Sequence, residues 1–596
     1  MKKNLYILLI VLAGSIVACK KGDLDRFPQT SISPNLFFNT EEDLSLYING
    51  LLSQPDRNTY LNDQSSDNTA TTAAVEVKNV MAGSTSAQNI TSGWSWSRLR
   101  NINYFLESYK KASVSNEVKN HYAGLARYYR AEFYMDKIKR FSDVPWYSTS
   151  LSPGDQALYK GRDPRALVMD SVMADFDFAY KNVREKVPVG TPGKWAVATA
   201  YARAALYEGT FRKYHSEINL ASNANTFLDN ASKVAGEIIA SKKFSIYNTG
   251  KTDQDYATLF NSQDLTTNPE VILTNIFDLS KSKSQNVNSV VFGDYEQAPA
   301  KDLIQTYLMK DGSRFTDQPN YSQLGFVKEF QNRDPRLMQT VAYPGWVRVP
   351  DAVPYIQRLN KNFTGYHQLK GYVNSTDNTI LNSVDFPVYR YAEVLLIYAE
   401  ALAELGTLTQ QQLDASVNLL RKRVGLPDLN LAQANASPDP LLQQQFDNVG
   451  ANVGVILEIR RERRVEFAFE NTRYDDLMRW KSGKLLTKSP EGMYFAGLGK
   501  YDLTGDGVDD IILIDRSLTI PGEDQKEKNS LGVKLIYYRT GLIGTDATVY
   551  LKNGNTGGAI VTEAVTRNFQ EPKYYYRPIP QQQVVLNPNL KQIFGW

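Results

Sequence analysis

Apolar residues in this chain recur at steps of three and four, and that spacing commits most of it to packed α-helices. Within 122–133 the stripe runs Tyr122, Leu125, Tyr129 and Phe133. The segment 194–207 carries alanine at 196, 198, 200, 202, 204 and 205, so neighbouring helices can approach it closely on several faces. Residues 227–240 place Leu228, Ala231, Val234, Ala235 and Ile238 on one side. Residues 390–405 repeat the pattern with Tyr391, Val394, Leu395, Tyr398 and Leu402, and Gly406 ends it as a C-terminal glycine should. Leu413, Val417, Leu420 and Val424 form one further stripe, closed by Gly425 and Pro427. Helix pairs with small contact faces imply a mainly α fold, a tetratricopeptide-like stack of helical hairpins. Such a stack buries a continuous core and leaves long loops on one side.

Three stretches lack the helical period: 59–93, 280–299 and 344–371. Long loops within a folded chain commonly carry function. The segment 494–569 differs again. Its β-branched runs at 511–514, 533–538 and 547–551 alternate with glycine turns, which predicts a small β-containing insertion.

The N-terminus reads as a processing signal. Met1-Lys2-Lys3 is basic, and 5–17 is apolar but shorter than the roughly 20 residues a membrane span needs. Ile16-Val17-Ala18-Cys19 closes the run. Residues 1–18 are therefore expected to be cleaved, with 19–33 as an acylated tether. Cys19 is the lipidation candidate and the only cysteine in the chain. The other reading is an ordinary signal peptide with an incidental cysteine. Each methylene of an acyl chain buried in a membrane contributes about 0.8 kcal/mol. A lone cysteine at that position excludes an intramolecular disulfide, a cysteine nucleophile and a Cys/His metal site. His121, His215 and His367 lie far apart and show no metal-ligand spacing. A formal charge of +3 over 596 residues offers no electrostatic case for nucleic-acid binding.

Three groups of residues suggest chemistry. Glu462, Glu466 and Glu470 fall four apart and so share a helix face. Two of them would serve a glycoside hydrolase if one carboxyl had a raised pKa. Arg460, Arg461, Arg463, Arg464 and Arg473 surround them, and neighbouring positive charge acts in the opposite direction. A partly buried ion network is the scaffold reading, and Arg333-Asp334-Pro335-Arg336 reads likewise as a turn locked by charge pairs. Asp502, Thr504, Asp506 and Asp510, with Gly507, have the alternating oxygens and turn glycine of a loop for a structural Ca²⁺. Thr504 stands where an acid is usual, and Leu513 where an EF-hand has glutamate. No cofactor is otherwise required. Aromatics in the long loops are the candidate ligand platforms: Tyr60, Trp94, Tyr295, Tyr321, Trp346 and Tyr355. Of these, Trp94, Tyr295, Tyr321 and Trp346 are carried forward as ligand-binding residues.

Several local patterns converge on one family. They are Cys19 with Leu24-Asp25 and Pro28, then Trp96-Ser-Arg-Leu-Arg-Asn-Ile-Asn103, then Arg130-Ala-Glu-Phe-Tyr running on to Phe141-Ser-Asp143-Val-Pro145. Phe330-Gln-Asn-Arg333-Asp-Pro-Arg-Leu337 and Arg390-Tyr-Ala-Glu-Val-Leu-Leu-Ile-Tyr-Ala-Glu-Ala401 follow. Glu462-Arg463, Glu466-Phe-Ala-Phe-Glu470 and Arg473-Tyr-Asp-Asp-Leu-Met-Arg-Trp480 come next, and Arg577-Pro-Ile-Pro580, Asn587-Pro588 and Gly595-Trp596 close the chain. In this order they resemble the SusD/RagB family of nutrient-binding outer-membrane lipoproteins of Bacteroidetes. The resemblance implies an N-terminal region at 34–330, a C-terminal region at 331–596 that includes the insertion, and Trp96 as a packing residue with Trp94 the freer ring. It implies a lipid-anchored protein on the outer membrane, facing the exterior beside a SusC-like TonB-dependent transporter. Such a protein passes an oligosaccharide or peptide to the transporter and is not an enzyme. Lys20-Lys21-Gly22 departs from the acidic residues that often follow the cysteine in this group. A surface glycoside hydrolase using the glutamates of 462–470, or a purely structural adhesin, is the alternative.

Overall fold

Ser115 starts the longest helix: its side chain accepts a hydrogen bond from the Val118 N–H, satisfying one of the free donors of the first turn. In the computed structural model, which describes residues 37–292 and 297–596, this helix runs Asn116–Phe141, well beyond the stripe that announces it. Cys19, the 1–18 signal, the 19–33 tether and Tyr295 lie outside the described residues.

The scaffold helices are α1 (Glu41–Leu51), α2 (Ser97–Ser108), α3 (Asn116–Phe141), α4 (Arg165–Asn182), α5 (Lys194–Tyr214), α6 (Ala224–Ala240), α7 (Tyr391–Leu405), α8 (Val453–Glu466) and α9 (Arg473–Arg479). Consecutive members pack as hairpins from α2 to α6. Then α7, more than 150 residues further along the chain, continues the stack by packing on α6 and α8. The mainly α hairpin architecture read from the sequence is therefore present. The alanine-rich α5 is mostly buried, and a Cβ at Gly209 would fall 2.9 Å from the Leu228 side chain of α6. Gly406 ends α7 at φ 77°, the left-handed conformation that favours glycine.

One prediction fails in detail. The 413–424 stripe forms two short helices, Gln410–Asp414 and Val417–Arg423. The break falls at Ser416, whose hydroxyl donates back to the Gln412 carbonyl at 2.6 Å and competes with the helical ladder. The 59–93 stretch also holds more structure than its period suggests: a 3-10 turn (Arg57–Ser65), strand β1 (Thr69–Thr71) and a short helix (Glu76–Met81).

The remaining strands are β2 (Val271–Asn275), β3 (Gln297–Pro299), β4 (Phe386–Arg390), β5 (Glu491–Phe495), β6 (Gly499–Tyr501), β7 (Ile511–Asp515), β8 (Ile536–Gly541), β9 (Val549–Tyr550) and β10 (Gly558–Val561). The antiparallel pair β5–β10, with Gly558 opposite Phe495, forms a stem. Between its strands the chain builds the sheet β6-β7-β8-β9, antiparallel at β6–β7 and parallel thereafter. That sheet is the β-containing insertion, and β7, β8 and β9 fall on the three runs expected of it. Two apolar cores hold the molecule, and each draws residues from both sides of residue 330.

Candidate functional site

Lys137 fixes the loop that enters α2. Its ammonium donates to the Gly93 and Ser95 carbonyls, the latter at 2.8 Å, and burial pushes it down to about 8. Trp94 is thereby wedged edge-on between Trp96 and Phe141, with ring centroids 5.3 and 4.8 Å away. It forms the floor of a groove of about 490 Å³ whose other walls include Trp96, Tyr147, Tyr159 and Leu586. Trp94 is only 8 % exposed, whereas Trp96 is half-buried. The expected order of these two tryptophans is thus reversed, because Trp94 takes the Phe141 edge and Trp96 the rim. Tyr159, 47 % exposed, presents the freest ring.

Buried amides position the far wall. Asn103 on α2 donates to the Tyr147 and Thr149 carbonyls, both at 3.0 Å, and its Oδ1 accepts from Arg130 at 3.2 Å. Arg130 is itself clamped on Asp175 at 2.6 and 2.8 Å. Asn587 donates to the Lys160 carbonyl at 2.9 Å and Asn589 to the Tyr159 carbonyl at 2.7 Å, so the C-terminal segment holds the Tyr159 platform in place. Arg100 is the one charged side chain among the described residues lining the groove, and its Nε donates to the Leu151 carbonyl at 3.2 Å. Ring faces with Arg100, Ser97 and Gln583 beside them can stack on the apolar face of a sugar while bonding its hydroxyls. Leu158 and Leu586, 40 % and 62 % exposed, add an aliphatic lip.

The other expected platforms do not join this groove. Tyr321, half-buried, borders a small cavity of about 130 Å³ beside Lys301 and Lys488. Trp346 sits in a buried aromatic cluster, 5.7 Å from both Phe292 and Tyr355 and 5.8 Å from Tyr372, which occupy its ring. Tyr60 is a core residue against Phe386. Sequence reasoning missed Tyr147, Tyr159 and Gln583. They lie far apart in the chain, and no local period marks them as neighbours.

The glutamates form an ion network, as the scaffold reading expected. Glu466 accepts from Arg423 at 2.6 and 2.8 Å, from Arg390 at 3.0 Å and from Arg336 at 3.2 Å, and it is fully buried. Glu462 accepts from Arg421 at 2.6 Å and Arg336 at 3.0 Å. Burial alone would push both carboxyls up. The guanidinium groups more than reverse it and hold both below the usual range, Glu466 through Arg423 and Arg390, Glu462 through Arg336 and Arg421. Glu470 is paired with Lys370 and Arg390, both at 2.6 Å. Neither Glu462 nor Glu466 is poised as a general acid. Asp334 caps the helix Pro335–Thr340 and grips Arg336 at 2.7 Å, as expected of a charge-locked turn. Arg333 instead donates to the Ile304 and Tyr307 carbonyls, both at 2.7 Å, and stacks on Phe315.

In the 502–510 loop, Asp502 accepts from the Gly505 and Gly507 N–H groups at 2.6 and 2.9 Å, and Asp506 from Val508 at 2.8 Å. Asp510 accepts from Leu503 and Thr504, both at 2.8 Å. Among the described residues no group of three or more His, Cys, Asp or Glu side chains is placed to hold a metal ion.

Comparison with known proteins gives the family of this helical-hairpin stack. The sequence model of the SusD family matches residues 269–596, more than half of the chain, and the chain belongs to that family. It is 22 % identical over 513 residues to the SusD-like protein P2 of Formosa agariphila, covering 81 % of this chain and 91 % of that protein. The fold is similar to that of a SusD-like carbohydrate binding protein from Bacteroides fragilis, with TM-score 0.67 and 22 % identity over 93 % of this chain and 100 % of that one. A laminarin binding SusD-like protein shares it at TM-score 0.54 and 14 % identity, covering 94 % of this chain and 100 % of that one. Among the described residues no helix is long and apolar enough to cross a membrane.

Proposed function

We propose that this protein captures a glycan in the groove between Trp94 and Tyr159 and passes it, chemically unchanged, to a SusC-like TonB-dependent transporter. The groove carries the reading: aromatic rings, one guanidinium and a few amides form a wall suited to sugar rings. Carbohydrate binding named for the Bacteroides fragilis relative, and laminarin binding for another, support it. The carboxylates that could have supplied acid–base chemistry are held ionised by arginines. Cys19, acylated, tethers the protein to the outer membrane in this reading, facing outward.

The aliphatic lip of Leu158 and Leu586 favours a second ligand class, peptides with apolar side chains. Calorimetric titration of purified protein with oligosaccharides and with short apolar peptides separates the two. Glycan binding without release of reducing ends supports the proposal, and turnover of the glycan overturns it. Recovery of a β-barrel transporter on affinity purification from outer membranes, and a diacyl or triacyl mass on Cys19, test the partner and the anchor.

A further inference from the structure

We infer that the groove between Trp94 and Tyr159, given that it is a glycan site, selects a glycan bearing an apolar substituent: a short acyl, alkyl or aryl group in place of a free hydroxyl. The groove has two unlike walls, and their difference carries the substrate class.

One wall is α2 with the segment that follows α3. Asn103 donates to the Thr149 carbonyl at 3.0 Å and Arg100 Nε to the Leu151 carbonyl at 3.2 Å, which joins the two stretches. Ser97 and Arg100 stand three residues apart on α2 and so share a helix face. Both are exposed, as is Thr149 beside them. The Arg100 terminal nitrogens have neither a hydrogen-bond acceptor nor a carboxylate partner among the described residues. This wall is suited to hydroxyl groups.

The other wall is Leu158 and Tyr159 with the C-terminal stretch 583–590. Asn587 donates to the Leu158 and Lys160 carbonyls at 3.4 and 2.9 Å, and its Oδ1 accepts from the Asn589 N–H at 3.1 Å. Its amide is thus spent on holding the wall together. What remains towards the groove is aliphatic and aromatic: Leu158, Leu586, Leu590 and the Tyr159 ring, with Gln583 the one amide left over. Leu158 and Leu586 are 40 % and 62 % exposed, so apolar surface is pinned in place yet wet. Covering it with apolar atoms is favourable.

A bare sugar does not cover it well. Stacked on a ring of the groove, a sugar turns its apolar face to that ring and its hydroxyl edge outward. Hydroxyls set against aliphatic carbon lose water without gaining a partner, which is costly. A wholly apolar ligand fails on the opposite wall, where it strips water from Arg100, Ser97 and Thr149 and offers them nothing. A substituted glycan meets both walls. Its hydroxyls bond the α2 side, and its substituent lies on Leu158 and Leu586. The groove's volume of about 490 Å³ is in the range of small-molecule sites, which keeps the substituent short.

The test is calorimetric titration of the full chain with matched glycosides. The probes are the methyl, butyl and hexyl β-glycosides of xylobiose, cellobiose and galactobiose, whose alkyl chains stand in for the substituent. 1-Hexanol is the sugar-free control. Each buried methylene is worth about fourfold in affinity. For at least one sugar, the hexyl glycoside should therefore bind roughly tenfold or more tighter than the methyl glycoside. That ratio should fall below about threefold in both Leu158→Ser and Leu586→Ser, with melting curves as the control for folding. Val585, 69 % exposed on the same short helix and outside the groove lining, supplies the comparison: Val585→Ser should keep the ratio. Equal affinity for methyl and hexyl glycosides overturns the inference, and if Tyr159→Ala weakens both, the groove remains a glycan site of another class. A ratio that persists in both leucine variants, or that falls as far in Val585→Ser, overturns it too. Hexanol binding as tightly as the hexyl glycosides, or no glycoside binding at all, removes the glycan reading itself and this inference with it.

Discussion

Arg390 Nη1 lies 3.0 Å from Glu466 Oε1, joining the residue before α7 to the last residue of α8 in a fully buried pair. Arg336 and Arg423 converge on the same carboxylate, so the stack and the loop region meet at a single acid. Removing one member of a buried ion network leaves the others unpaired, at a cost of about 3–5 kcal/mol. Glu466→Ala should lower stability by that order in urea unfolding, with no change in ligand affinity for protein that remains folded. A glycosidase would instead lose turnover with little loss of stability.

Tyr159→Ala should weaken ligand binding while leaving the fold intact. The ring is half-exposed and its carbonyl, not its ring, is what Asn589 holds. Loss of one stacking face is worth about 0.5–1.5 kcal/mol, or roughly two- to twelvefold in affinity. Titration against an oligosaccharide ligand measures this, with circular dichroism melts as the control.

Helical periodicity exposed the scaffold because burial on one face writes itself into local spacing. Ala198 and Ala202 mark α5, and Tyr391 and Leu395 mark α7, without any knowledge of their partners. The insertion strands were legible for a similar reason, since β-branched residues cluster between glycines. The groove was legible only at Trp94: its neighbours from 96–103 read as helix packing, and the remaining members come from 145–159 and 583–590, brought together by tertiary packing alone. Arg463 shows the same limit from the other side. Its place in a charge run suggests only a paired ion, and the buried Nη1, without a hydrogen-bond partner among the described residues, can be seen only once its neighbours are placed.

Gly209 is the contact that lets α5 and α6 close. A Cβ there would meet the Leu228 side chain at 2.9 Å and the Leu228 backbone nitrogen at 3.0 Å, and the latter cannot swing away. Gly209→Ala gains helix propensity but overpacks the interface, which typically costs about 1–3 kcal/mol. A net fall in melting temperature is expected, and a rise would mean the two helices can move apart freely.

Calcium at the 502–510 loop has a distinct signature. The turn is already drawn round by Asp502 accepting from Gly505 and Gly507, and both glycines have positive φ, 79° and 83°. Calcium held by Asp502, Asp506 and Asp510 would raise the melting temperature and lose that effect in Asp502→Ala, but among the described residues no three such side chains are placed to hold an ion, and no rise is expected. A melting temperature unchanged by calcium and by EDTA would show that the backbone hydrogen bonds alone maintain the turn.

Glu76 ties the beginning of the fold to its end. One of its oxygens accepts from Arg140 at 2.6 Å and Ser92 at 2.9 Å, and the other accepts from Arg577 at 2.9 Å. Burial raises its pKa, but the hydrogen bond and charge of Arg140, with Arg577 behind them, bring it down from 4.5 to about 2. A carboxyl whose folded-state pKa lies below its unfolded value contributes stability that is present above the unfolded pKa. That contribution should therefore be complete above about pH 4.5 and fade as pH falls towards 2. Glu76→Gln removes the charge at every pH. The melting temperature of the variant should lie below that of the parent at pH 6, and the gap should narrow steadily between pH 4.5 and 3. A gap that stays constant down to pH 3 would mean that the ionised form of Glu76 gains nothing from its two arginines.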